Sequence, residues 1–336
     1  MRFLTGLGAE PADPEDIYAL LAPGRPVYTL KPPVPLLPEM PAMEAAAAII
    51  RSCLRVARQN EPGIISDLDT EFLHDYRISL RRVRSVLSLF KGVFAAVETL
   101  RLKRAFSGLM AVTGRLRDLD VCLLERQRFY AQVPDTLHPG LDSLFAVSEG
   151  ERKQQHQRLA LHLAGARYKW QIAALQAEFA EGAVLGAGAK AEQPALDFAK
   201  ALIWKRYSKV CRLAAAITPE TPDDQVHALR SSCKKLRYLM ELFAPLFDNA
   251  ELKTVLKPLK KLQNTLGRFN DCSVQQAALL DFAASPAATR SIALSAGALI
   301  GALHQNQLAA RAVVEAKAEA FNSPETQARI RTLFHG

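Results

Sequence analysis

Four side chains that could hold phosphate recur at a spacing that places them on one side of a helix. They are His74, Arg77, Arg81 and Arg84, at positions i, i+3, i+7 and i+10. At about 100° per residue this spacing gives one stripe, roughly 15 Å long at about 1.5 Å per residue. A guanidinium group grips phosphate through two parallel hydrogen bonds, and an ammonium group acts as a mobile point charge. The row therefore predicts a binding face for a phosphate-bearing anion.

The same row returns 153 positions later as His227, Arg230, Lys234 and Arg237. Without a gap, that offset continues to the motif Gly-Arg-x-x-Asp, which begins at Gly114 and again at Gly267. Further matched pairs are Phe90 with Phe243, Phe94 with Phe247, Glu98 with Glu251, Arg104 with Lys257 and Leu109 with Leu262. Arg82 and Lys235 lie beside the two rows and widen them. The chain therefore contains an internal repeat.

Each basic row has an apolar face opposite it and contains no acid. The apolar residues are Tyr76, Leu80, Val83, Leu87 and Phe90 in the first copy and Leu229, Cys233, Leu236, Met240 and Phe243 in the second. A solvated helix face is the ordinary explanation of a charge run, but such a face mixes signs. Like charges at i, i+4 cost about 0.2–0.5 kcal/mol per pair. Repulsion that occurs twice favours an anionic ligand that relieves it.

The excess of positive charge belongs to the repeats. The chain has 43 Lys and Arg against 34 Asp and Glu, a net charge of +9. Residues 71–130 and 201–275 each carry +6, so the remainder of the chain is at −3. This balance favours nucleic acid, anionic lipid or polyphosphate as the partner. The five cysteines are scattered and never in CxxC spacing, which argues against a disulfide framework or zinc ribbon and fits a reducing cytoplasm.

Helices must position these rows. Residues 1–43 are rich in proline and predict an extended segment, whereas the chain from 44 onward shows helical periodicity. Breaks are predicted at Pro62-Gly63, at Pro134, at Pro139-Gly140, across 182–188 and across 218–223. Helix N-caps are predicted at Ser66, Asp69 and Asp223. The apolar stretch 291–303 is too short for a membrane span, which needs about 20 residues, and predicts a buried helix.

Four motifs in order resemble the CHAD domain, a conserved-histidine α-helical domain. They are His74-x-x-Arg77-x-x-x-Arg81-Arg82-x-Arg84, Leu116-Arg117-Asp118-Leu119-Asp120-Val121, His227-x-x-Arg230-x-x-x-Lys234-Lys235-Leu236-Arg237-Tyr238 and Leu266-Gly267-x-x-Asn270-Asp271. The resemblance implies an all-α fold of two four-helix bundles related by a pseudo-twofold axis, with a basic central groove or pore. It divides residues 44–336 into a first repeat, 44–190, and a second, 191–336.

The resemblance also implies binding of inorganic polyphosphate and association with polyphosphate granules. The family's basic positions map onto Arg77, Arg81, Arg82, Arg84, Arg230, Lys234, Lys235 and Arg237. Further lining residues are expected at Arg104, Arg115, Arg117, Lys257, Lys260, Lys261 and Arg268. His74 and His227 are expected to position the basic row or to contact phosphate directly, with metal ligation as the third reading. The acids of the two Asp-containing motifs are expected to pair with basic residues and fix their rotamers.

Other functions remain open at this point. Gly6-Leu7-Gly8 lacks the Lys-Ser/Thr continuation of a phosphate-binding loop, and neither the zinc motif HExxH nor the triphosphate-tunnel motif ExExK occurs. The pair His74-Asp75 could suggest a metal phosphohydrolase, but the second repeat has Ala228 after His227. We therefore predict a non-catalytic cytoplasmic module with neither cofactor nor metal. An enzyme acting on phosphoanhydrides is the alternative from another class. A binder of nucleic acid or of an acidic protein is a third, although the aromatic residues of the repeats are predicted on the face opposite the charges, where bases could not stack.

Overall fold

The computed structural model describes residues 29–30, 32–218 and 220–335, and every regular element in these ranges is a helix. The all-α prediction is therefore confirmed. Residues 33–336 form one compact unit. Most of the proline-rich segment predicted over 1–43 lies outside the described residues. The relation of two bundles by a twofold axis, and the division of the repeats at 190, stay predictions.

Thirteen α-helices follow one another in the described residues. Those before position 190 are α1 (Ala42–Ile65), α2 (Thr70–Leu89), α3 (Ala96–Ala111), α4 (Gly114–Leu124), α5 (Arg126–Tyr130), α6 (His138–Ala164) and α7 (Ala166–Glu178). Those after it are α8 (Ala195–Ala215), α9 (Asp223–Leu242), α10 (Asn249–Ala283), α11 (Arg290–Ala312), α12 (Val314–Phe321) and α13 (Pro324–His335). Three pairs, α1 with α8, α2 with α9 and α3 with α10, begin 153 positions apart. The offset read from the motifs thus also sets the helix starts.

The helix ends confirm one of the predicted N-caps and contradict two others and one predicted break. Asp69 caps α2, its carboxylate accepting a hydrogen bond from the Glu71 amide at 2.8 Å. The prediction for Ser66 is wrong, because Ser66 ends α1, and that for Asp223 is wrong, because Asp223 is already the first residue of α9. The break predicted at Pro62 is also wrong. Pro62 lies in the last turn of α1, where the one hydrogen bond it removes is tolerated.

The apolar faces of α2 and α9 pack into one continuous core. All ten apolar residues predicted for the two faces are buried, none more than 3% exposed. Phe90 of α2's end stacks on Phe243, its counterpart in the second repeat, with ring centroids 4.9 Å apart and planes 8° apart. The same core takes in α1, α3, α7, α8, α10, α12 and α13. Both basic rows therefore stand on a shared apolar base.

A second, smaller core joins the two repeats elsewhere. Buried residues of α5, α6, α10 and α11 form it, among them Phe145, Ile292, Leu299 and Leu303. The prediction of a buried helix over 291–303 is confirmed. Gly140 of α6 lets α11 approach closely, since a Cβ there would lie 2.4 Å from the Ser291 carbonyl oxygen. No helix of the described chain is long and apolar enough to cross a bilayer.

The repeats differ at one helix break. In the first, α3 ends before Thr113 and α4 starts after it, whereas α10 runs unbroken through the matching position, Leu266. The Thr113 hydroxyl donates to the Met110 carbonyl at 2.7 Å and accepts from the Arg77 guanidinium. Leu266 has no polar atom to compete with the helix and is buried in the core. This break changes the surroundings of the basic row.

Candidate functional site

The two basic rows meet where α2 packs against α9. Burial lowers the pKa of Lys234 on α9, and the charges of Arg230, of Arg81 on α2 and of Arg237 lower it further, in that order. Arg81 and Lys234 are counterparts in the repeat. The ring of Tyr238, also on α9, has its centroid 5.7 Å from the Arg237 guanidinium carbon. The centres of the two rows therefore lie on helices that pack together, near enough for their charges to interact.

We call the electrostatically linked group of basic residues the cation cluster. Its members are Arg77, Arg81, Arg84 and Arg117 from the first repeat and Arg230, Lys234 and Arg237 from the second. Apart from exposed Arg84, these side chains are half-buried. Among the described residues, no carboxylate oxygen lies within 4.0 Å of Arg81 or Lys234. Two cations of different helices are thus partly desolvated without a close ion pair, and Asp271 attracts Lys234 only from a longer distance.

Two groups at the end of α3 hold the side chain of Arg77. Its guanidinium donates to the Thr113 hydroxyl and, at 3.4 Å, to the Met110 carbonyl at the end of α3. A cation is favourable there because it faces the negative end of the helix dipole. Burial lowers the pKa of Arg77, and the charge of Arg81 lowers it further. Arg77 therefore both braces the break between α3 and α4 and adds charge to the cluster.

Arg117 reaches the same place from α4. Its side chain is 13% exposed, and its nearest acid is Glu71 at 3.9 Å. Burial lowers the pKa of His74, and the charge of Arg117 is the next cause, so both effects disfavour the imidazolium form. His74 thus lies within the electrostatic reach of the cluster, as a positioning or phosphate-contacting role requires. His227 packs instead against the ring of Phe269, centroid to centroid 5.3 Å.

In the second repeat, acids stand closer to the cations. Arg230 pairs with Asp271 at 3.5 Å, which matches the expectation for the second Asp-containing motif. Arg237 pairs with Glu241 one turn further on, at 3.7 Å. These distances correspond to loose ion pairs of the kind that a stronger anion can displace.

Other predicted lining residues are more exposed. Arg115 is exposed and forms a two-pronged ion pair with Glu151, which raises the pKa of Arg115. No cation of the cluster is among the groups that act on the pKa of Arg115. The remaining predicted lining residues are exposed except for half-buried Arg82: Arg82, Arg104, Lys235, Lys257, Lys260, Lys261 and Arg268.

A family model of the CHAD domain matches residues 48–280, most of the chain and both basic rows. The chain belongs to the CHAD family. Among solved structures it is similar to the CHAD domain from the plant Ricinus communis, with 26% identity over 86% of this chain and 95% of that one and a TM-score of 0.70. It shares its fold with PptA from Streptomyces chartreusis, at 17% identity over 83% of this chain and 100% of that one, TM-score 0.60. None of the curated proteins matches it.

Neither Arg152, outside the CHAD motifs, nor Tyr238, inside the third motif, was predicted as a site residue from the sequence. Arg152 of α6 donates to Asp120 at 2.8 Å and to both oxygens of Asp67 at 2.6 and 2.7 Å. Asp120 is 1% exposed, so this bridge fixes α4, and with it Arg117, against α6. Asp120 therefore pairs outside the basic row, where no repeat signal could have pointed. The ring of Tyr238 has its centroid 5.7 Å from the guanidinium carbon of Arg237, a member of the cluster, although the aromatic residues were predicted on the opposite face.

One group of three possible metal ligands occurs in the described residues. Oxygen and nitrogen atoms of Glu71, His74 and Asp75 lie within 4.8 Å of one another. Arg117 stands 3.9 Å from Glu71 and repels a cation there. In the second repeat Ala228 replaces the third ligand. We assign no metal to this place, and the prediction of none stays a prediction.

Proposed function

We propose that this CHAD protein binds inorganic polyphosphate along the cation cluster and does so without hydrolysing it. The observation that carries the proposal is the placement of Arg81 and Lys234 on the packed helices α2 and α9, half-buried and without a carboxylate oxygen within 4.0 Å in the described chain. Cations in such a place destabilise the free protein, and a bound polyanion removes that cost. The CHAD family assignment supports the same ligand.

A bare phosphate chain suits the surroundings of the cluster better than a nucleic acid does. The buried rings of α2 and α9 lie in the core, and among the described residues the ring that lies over a cation of the cluster is that of Tyr238, 5.7 Å from Arg237. Successive bases need several exposed rings for stacking. A polyphosphate chain needs charge and hydrogen-bond donors alone, which guanidinium and ammonium groups supply.

The proposal contains no chemical step. Acidic side chains close to the cluster are engaged with its cations, Glu71 with Arg117, Asp271 with Arg230 and Glu241 with Arg237. Their role is then to hold the basic groups in place before the ligand arrives. We further propose that the protein works in the cytoplasm at polyphosphate granules, where such a ligand is concentrated.

A competition titration tests the ligand. Fluorescent long-chain polyphosphate would be bound at physiological salt and displaced by unlabelled polyphosphate, single-stranded RNA, duplex DNA or ATP. We expect polyphosphate to compete best and the affinity to fall steeply with salt, because each cation that binds phosphate releases counterions. Tighter competition by RNA or DNA would contradict the ligand.

A second assay tests the absence of chemistry. Long-chain polyphosphate would be incubated with the protein and Mg²⁺, and released phosphate measured over time. We expect no release above a boiled control. Steady turnover that is lost in the Arg81→Met variant would make the protein an enzyme acting on phosphoanhydrides.

A further inference from the structure

We infer that the first repeat alone forms a complete subsite for a short phosphate oligomer, such as inorganic triphosphate, and that the second repeat is occupied only by longer chains. The inference rests on the proposed function and deepens it. Three differences between residues at matching positions of the repeats support it.

The first difference is one additional cation. Arg117 lies at the position that Asn270 occupies in the second repeat. The charge of Arg117 acts on His74, Arg77 and Arg81 together. Asn270 carries no charge, and its amide donates only weakly to Asp271, at 3.4 Å. The first repeat therefore offers a phosphate group one more fork of donors at the centre of its row.

The second difference is one missing acid. Arg237 of α9 pairs with Glu241 at 3.7 Å, one helical turn away. At the matching place in α2, Arg84 is followed one turn later by Ser88, which is exposed and uncharged. Among the described residues no carboxylate oxygen lies within 4.0 Å of Arg84. Arg84 is thus available to a ligand, whereas Arg237 must first leave Glu241.

The third difference concerns the partner of the second basic residue in each row. Arg230 pairs with the carboxylate of Asp271 at 3.5 Å. Arg77, its counterpart, donates instead to neutral groups, the Thr113 hydroxyl and the Met110 carbonyl. Asp118, the counterpart of Asp271, attracts the Arg77 charge only from a longer distance, since no carboxylate oxygen of the described residues lies within 4.0 Å of Arg77. All three differences leave more uncompensated positive charge on the first repeat, within a row of roughly 15 Å that exceeds the length of a triphosphate.

Calorimetric titration with inorganic triphosphate and with long-chain polyphosphate tests the inference. Arg117→Asn copies the second repeat into the first and should weaken triphosphate binding at least about tenfold, since a charged hydrogen bond contributes about 1.5–3 kcal/mol. The matched control is Arg115→Asn, which removes the same charge from the same helix two residues away. Because Arg115 is exposed, is held in a two-pronged ion pair by Glu151 and has no cluster cation among the groups that act on its pKa, its loss should change the affinity by less than about twofold.

Exposed positions supply variants whose folding is not in question. Ser88→Glu places an acid one turn from Arg84, as Glu241 stands to Arg237, and should weaken triphosphate binding about twofold or more. Glu241→Ser should strengthen binding of long chains and leave triphosphate binding unchanged. Melting curves without ligand check that each variant is folded.

The outcomes separate this inference from the proposed function. Binding of long chains but not of triphosphate by the unaltered protein would overturn the inference and leave the function standing. Equal effects of Arg117→Asn and Arg115→Asn would overturn it as well, and so would weaker triphosphate binding in Glu241→Ser. If the unaltered protein binds neither ligand, the proposed function itself fails.

Discussion

Replacing Lys234 by methionine should make the ligand-free protein more stable while it weakens polyphosphate binding. Methionine keeps the length and the apolar stem of lysine and removes the ammonium group. Lys234 faces three like charges, Arg230 and Arg237 on its own helix and Arg81 on α2, and its attraction to Asp271 offsets part of their effect.

The size of the effect follows from these neighbours. At about 0.2–0.5 kcal/mol per like-charge pair, three repulsions less one attraction amount to about 0.4–1 kcal/mol. For a chain of this size we expect the melting temperature to rise by about 0.5–1.5 °C. Relief from partial burial of the ammonium group acts in the same direction. The binding of long-chain polyphosphate should weaken, because one phosphate contact is lost at the centre of the cluster.

Scanning calorimetry without ligand, at low salt and at about 1 M salt, measures this. The stability gain should shrink at high salt, where the Debye length falls to about 3 Å. Lys235→Met is the matched control, since Lys235 is the exposed neighbour on the same helix, where water screens its charge. A lower melting temperature for Lys234→Met at low salt, or an equal gain for Lys235→Met, would refute the reasoning. So would unchanged polyphosphate affinity.

Two further predictions concern the supports of the cluster. Asp120→Ala should lower the free energy of unfolding in urea by about 3 kcal/mol, because it removes the buried partner of Arg152. The control Asp118→Ala removes an exposed carboxylate from the same helix and should change this free energy by less than about 0.5 kcal/mol. Equal effects of the two substitutions would contradict the assigned bridge. The pKa of His74 lies below its usual value of 6.5 through burial and the charge of Arg117, and a bound polyanion offsets that repulsion. Binding of the polyanion should then be accompanied by uptake of a proton on His74, so the affinity should rise as the pH falls below about 6.5. His74→Gln should make the affinity less dependent on pH. Titrations between about pH 7.5 and pH 5.5 in which the unaltered protein and His74→Gln show the same pH dependence of affinity would contradict this role.

Much of the fold could be predicted from the sequence, because helix periodicity and the repeat are local signals. The apolar faces of α2 and α9 are buried as the spacing requires, and Asp69 caps α2 as its side chain allows. The errors fall where tertiary packing outweighs local preference. Pro62 continues α1, although proline generally ends a helix, because only the last turn of α1 follows it.

The candidate site was predictable in its charges and less so in its partners. The repeat pointed to Arg81 and Lys234, which the structure brings together. Arg115 carries the same motif signal, yet Glu151, 36 residues away, engages it. Arg152 lies outside every motif, and its importance comes from a buried carboxylate that only the folded chain places beside it. Long-range ion pairs of this kind leave no periodic trace in a sequence.

The stacked rings of Phe90 and Phe243 lie in a core that is continuous beneath both basic helices. Because α2 and α9 share this packed core, the spacing of their charges is set before any ligand binds. A flexible ligand chain that binds these charges must take up one conformation and lose conformational entropy, while the protein loses little. Each ordered phosphate unit therefore carries an entropic cost of its own, which limits how much affinity a longer chain can add.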